Sequence, residues 1–135
     1  MTPVFLDSAG LMALLNVRDS LHATATGIWN DFVSAQTPLV TTSLVLIELG
    51  DCLSTSRHRS LAIEMRQQLL RSSQCEIVIA TPELESASWN LYSNRPDKDW
   101  GMTDCVSMLV AQQCGAVRIF TADHHFEQAG FEILL

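Results

Sequence analysis

The feature that most constrains this chain is the run from Asp104 to Asp123, DCVSMLVAQQCGAVRIFTAD. It predicts a buried helix from Asp104 to about Cys114, stopped by Gly115 as C-terminal glycines stop helices. A short strand follows over Val117–Phe120, apolar except for Arg118, and Asp123 stands just past its end. A helix start and a strand end can share one rim of a parallel sheet, where open α/β folds place their ligands. Two carboxylates aimed at such a crevice are the beginning of a cation site.

The remaining segments fit the same architecture. Pro3–Leu6 reads as a strand ending at Asp7, followed by SAGLMALLN with leucines at helical spacing. Leu21–Ala35 reads as an amphipathic helix with Leu21, Ile28, Trp29 and Phe32 on its apolar side. Leu39–Thr41 makes a second brief strand, and Ser43 is a candidate N-cap for LVLIELGDCL. Leu61–Arg71 forms another helix, and CEIVIA (Cys75–Ala80) reads as a buried strand. Thr81-Pro82-Glu83 opens a helix with cap, proline and first-turn acid. NRPDKDWG is a polar turn, HHFEQAG a short helical turn, and FEILL a last strand. Strands alternating with helices predict one α/β domain over residues 1–135, a sandwich around a central parallel sheet.

Bulk composition excludes some partners. With 8 Lys+Arg against 15 Asp+Glu, the net charge is 8 − 15 = −7, so binding of nucleic acid by bulk positive charge is closed. An acidic protein can still act on RNA or DNA where bound cations mediate the contact. Cys52, Cys75, Cys105 and Cys114 form no CxxC pair and no zinc-ligand spacing, and read as buried reduced thiols of a cytoplasmic protein. No signal peptide and no membrane span is expected.

Taken singly, three of the acids have plain structural readings. Asp7 and Asp123 can each cap the helical segment that follows, and an acid at Asp104 suits the dipole of a first helical turn. Glu48 differs, because Leu44, Val45, Leu46, Ile47 and Leu49 surround it and predict a buried helix. An ionised carboxylate there must be paired, protonated or bound to metal. No basic residue lies nearby in sequence. Four converging carboxylates would repel, and a hard divalent cation removes that conflict. Mg²⁺ or Mn²⁺ suits the set better than zinc, since neither His nor Cys joins it at ligand spacing. His124 and His125 read as surface residues of the final turn. Arg57, His58, Arg59, Arg66 and Arg71 read as a solvated helix face, with contact to an RNA backbone as the alternative.

The four acids and their neighbours resemble a known family. Asp7 in FLDSAGLMALL, Glu48 in TTSLVLIELG, Asp104 in DKDWGMTDC and Asp123 in IFTADHHFEQAGF look like the acidic tetrad of PIN-domain ribonucleases. The resemblance covers almost the whole chain. It implies a three-layer α/β/α sandwich and Mg²⁺- or Mn²⁺-dependent cleavage of RNA. Asp7, Glu48, Asp104 and Asp123 would be the catalytic, metal-holding acids, with Thr121 supplying a supporting hydroxyl. Where many members carry Ser in the tryptophan-containing turn, this chain has Gly101. Many small bacterial members are VapC-like toxins neutralised by a cognate antitoxin, and homodimers are common in this type of fold. The alternative is a PIN-like domain that binds RNA or protein without cutting.

Overall fold

The computed structural model describes residues 1–135. Five parallel strands form one sheet: β1 (Val4–Leu6), β2 (Leu39–Thr42), β3 (Cys75–Val78), β4 (Arg118–Phe120) and β5 (Glu132–Ile133), in the order β3-β2-β1-β4-β5. The first strand of the chain is therefore the middle of the sheet. Its three residues, Val4, Phe5 and Leu6, are fully buried. That explains why it is apolar without alternation, since a parallel strand covered on both faces has no solvent side.

Seven helices make the connections: α1 (Ser8–Leu15) and α2 (His22–Ser34) between β1 and β2, α3 (Ser43–Cys52) and α4 (Arg59–Arg71) between β2 and β3, α5 (Pro82–Asn94) and α6 (Met102–Gln113) between β3 and β4, and α7 (His124–Gln128) before β5. From β1 to β3 the chain moves one way across the sheet; the crossover to β4 then takes it back past β1. With right-handed crossovers, that reversal puts α1–α4 on one face and α5–α7 on the other. Contacts of α1 with α2 and α3, and of α6 with α5 and α7, agree with this layering. The result is the expected three-layer sandwich.

Local chemistry sets the element ends. The Thr81 hydroxyl accepts from the Leu84 N–H at 3.1 Å, with Pro82 at the first helical position, as the sequence predicts. The cap of α3 is Thr42, not Ser43: Thr42 Oγ1 accepts from the Val45 N–H at 3.1 Å, and Ser43 is already helical. Gly115 follows α6 at φ +73°, a left-handed conformation that suits glycine.

Three burial expectations need correction. CEIVIA is not a buried strand, because β3 lies at the sheet edge; Glu76 is exposed and Ile79 is 66% exposed. Helix α3 buries Val45 and Leu49, while Ile47 is 60% exposed and Glu48 half-buried. All four cysteines are free, but only Cys105 is buried and Cys52 is exposed. No helix is long and apolar enough to cross a membrane.

Candidate active site at the carboxyl rim of the sheet

The strand order reverses between β1 and β4. In open α/β sheets that switch point, outside the carboxyl ends of the strands, is where a crevice opens. Leu6 pairs with Phe120, so Asp7 leaves β1 beside Thr121 as it leaves β4. Thr121 Oγ1 donates to Asp7 Oδ2 at 2.7 Å and accepts from the Asp123 N–H at 3.1 Å. One buried hydroxyl thus orients the first acid and fixes the backbone of the last. Asp7 also caps α1, its Oδ2 receiving the Ala9 N–H at 3.4 Å. The capping reading of Asp7 is thus borne out, and it leaves the carboxyl at the rim.

Asp7 is only 3% exposed, and its carboxyl is raised from 3.8 to about 6. Burial is the largest cause; the charges of Asp104 and Glu48 push the same way, and the Thr121 hydroxyl and Ala9 N–H push back. Asp104 sits in the first turn of α6, where its Oδ2 accepts from the Gly101 N–H at 3.0 Å. Asp123 caps α7, accepting the His125 N–H at 2.9 Å. Glu48 arrives on α3, which touches both α1 and α6. It accepts a hydrogen bond from the Ser8 hydroxyl, next to Asp7, and no salt bridge reaches it.

The turn before Asp104 is held in place. Arg95 pairs with Asp97 at 3.0 Å and lies 5.0 Å over the Trp100 ring, and Trp100 Nε1 donates to Gln128 Oε1 at 3.1 Å. Because Gln128 ends α7, this clamp ties the entry of α6 to the helix that Asp123 caps. Asp97 is exposed, as expected of a solvated turn residue.

The tightest donor group is Asp104, Asp123 and His125, whose ligand atoms lie within 4.8 Å of one another. His125 Nδ1 is 3.3 Å from Asp104 Oδ2 and 3.5 Å from Asp123 Oδ1. This corrects the expectation that no histidine joins the acids: His125 is half-buried against them, and only His124 is an exposed residue of the turn. Asp7 and Glu48 stand outside that three-residue group while contributing charge beside it. The basic residues of α4 and the preceding loop, Arg57, His58, Arg59, Arg66 and Arg71, are all exposed. A concavity of about 370 Å³ between Pro3, Pro38, Gln74 and Cys114 opens at the strand starts, the rim opposite the acids.

Fold and site together define a parallel α/β domain with an acidic crevice at its switch point. The PIN domain profile matches residues 4–132, and the chain belongs to the PIN domain family. Among solved structures it is similar to VapC20 of Mycobacterium tuberculosis, a toxin described as cleaving the sarcin–ricin loop. The two share 24% identity over 95% of each chain with a TM-score of 0.83, a likeness of fold. A search of curated protein sequences finds no match.

Proposed function

We propose that this chain is a Mg²⁺- or Mn²⁺-dependent endoribonuclease that hydrolyses phosphodiester bonds of single-stranded or structured RNA as the toxin of a toxin–antitoxin pair. Residues 1–135 would act as one PIN-like domain in the cytoplasm. The observation that carries the reading is the meeting of Asp104 and Asp123 at the switch point, with Asp7 buried beside them. Membership of the PIN domain family supports it, as does the shared fold with a toxin described as cleaving the sarcin–ricin loop.

Asp7, Glu48, Asp104 and Asp123 would hold the metal. The donors fit it: carboxylate oxygens suit a hard divalent ion, and mutual repulsion of the acids is relieved by its charge. The chemistry such an ion supplies is an acidified water and neutralisation of phosphate charge. The protein's own part is positioning. Thr121 holds the Asp7 carboxyl, Ser8 holds Glu48, and backbone N–H groups at two helix starts hold Asp104 and Asp123. Ser8, the crevice serine that meets a carboxylate, gives its hydroxyl hydrogen bond to Glu48 and pairs with no histidine.

An antitoxin and a second copy of the chain are the protein partners of this reading. Both need apolar surface to cover. One band comprises Ile47, Leu70 and Ile79, each more than half exposed, and the Trp89–Tyr92 pair on α5 offers another.

RNA incubated with the protein should be cut in Mn²⁺ or Mg²⁺, left intact in EDTA, and left intact by the Asp7→Asn, Asp104→Asn double variant. RNA bound but uncut by the wild type with either ion would instead indicate a binding domain without catalysis.

A further inference from the structure

The half-buried imidazole of His125 has no role in a site made of acids alone. Its Nδ1 faces Asp104 Oδ2 and Asp123 Oδ1 at 3.3 and 3.5 Å, both longer than an ordinary N–H···O hydrogen bond. A single proton on Nδ1 can point well at only one of them. Nor do the two oxygens depend on it, because Asp104 Oδ2 already accepts the Gly101 N–H and Asp123 Oδ1 the His125 N–H. Three groups with lone pairs therefore converge on one point, and a positive charge between them satisfies all three. The spacing suits an ion: neighbouring ligands of an octahedral cation at about 2.1 Å lie about 3.0 Å apart, within a few tenths of the two separations here. Asp7, buried and held by the Thr121 hydroxyl and the Ala9 N–H, stands outside this three-donor group, so the group is made by Asp104, Asp123 and His125 themselves.

We propose that His125 is a metal ligand through Nδ1, with Asp104 and Asp123, and that this nitrogen donor makes the site favour Mn²⁺ over Mg²⁺. The inference rests on the metal-site reading above and refines it. Oxygen donors alone suit Mg²⁺, whereas imidazole binds first-row transition ions better, and Mn²⁺ accepts both donor types. The ring takes the tautomer that leaves its proton on Nε2. The main chain that carries the ring is held by the His125 N–H bond to the cap residue two positions earlier.

The test uses the ions alone as probes. Calorimetry gives Mn²⁺ and Mg²⁺ affinities, and pulsed EPR of bound Mn²⁺ reads nitrogen coupling, for wild type, His125→Ala, His125→Asp and Asp104→Asn. Wild type should show imidazole ¹⁴N modulation that disappears in His125→Ala. Losing even an outer-shell partner of a metal costs about 10- to 100-fold in affinity, so Mn²⁺ binding by His125→Ala should fall by at least about tenfold, and Mg²⁺ binding by less. His125→Asp should restore binding without the nitrogen signal and with the preference moved toward Mg²⁺. Absence of ¹⁴N coupling, or equal losses for both ions in His125→Ala, overturns the proposal. If Asp104→Asn still abolishes binding in that case, the acidic metal site stands and only the nitrogen ligand is wrong. If wild type binds neither ion, both readings fall.

Discussion

Asp7 is a carboxyl placed where burial works against its charge. Its value of about 6 in the folded protein, against 3.8 for the ordinary group, means that the native state takes up this proton more readily than the unfolded chain. The stability it contributes is therefore complete below about pH 4 and lost as pH rises through 6. At about 1.4 kcal/mol per pKa unit, the loss amounts to about 3 kcal/mol. Asp7→Asn has no such proton to lose. In EDTA, the variant should gain about that much on the wild type between pH 4 and pH 7, read as the difference between their urea unfolding free energies. A difference that stays flat across that range would show that Asp7 is not destabilised by burial. At this scale Asp7, Asp104 and Asp123 stand out in the sequence at a strand end or helix start, and Glu48 because it interrupts an apolar helix. His125 carries no such mark. It lies 21 positions from Asp104, and only the folding of α7 against α6 brings the two together.

Among the elements, α1 is the one whose placement the site can least afford to lose. It crosses β4 at Gly10, where a β-carbon would stand 2.0 Å from the Phe120 carbonyl oxygen and 2.7 Å from its ring. The same carbonyl accepts the Asp7 N–H at 3.4 Å. Backbone cannot yield as a flexible side chain does, so Gly10→Ala must push α1 off the sheet. We expect a loss of roughly 3 kcal/mol in chemical denaturation, at the upper end of overpacking costs; a loss below about 1 kcal/mol would mean that the helix shifts freely. Nothing in SAGLMALL announces this contact, because a glycine in a helix tells nothing of what lies across from it. Strand–helix alternation and the Thr81-Pro82 start were legible, being matters of local periodicity and capping. The edge position of β3 was not. CEIVIA has the composition of a buried strand, and its half-exposed state follows from a sheet order that no local pattern encodes.

Over the whole molecule, that open edge borders a cluster of exposed aliphatic side chains. Ile47, Leu70 and Ile79 surround a groove between α3, α4 and β3, with Leu46, Ile77 and Arg66 also lining it. An unpaired strand edge beside apolar surface invites association unless it is covered. If a second copy covers it, sedimentation equilibrium should find the wild type dimeric and an Ile47→Lys, Ile79→Lys variant monomeric at the same concentration. A variant that remains dimeric would move the interface elsewhere, with the aromatic pair on α5 the next surface to test.

The strand made first is the strand in the middle. Residues near the amino end enclose nothing until β4, more than a hundred positions later, comes to lie beside them, and the hydroxyl that steadies Asp7 belongs to that late arrival. The rim that holds Asp7 is therefore complete only once nearly the whole chain has been made and folded.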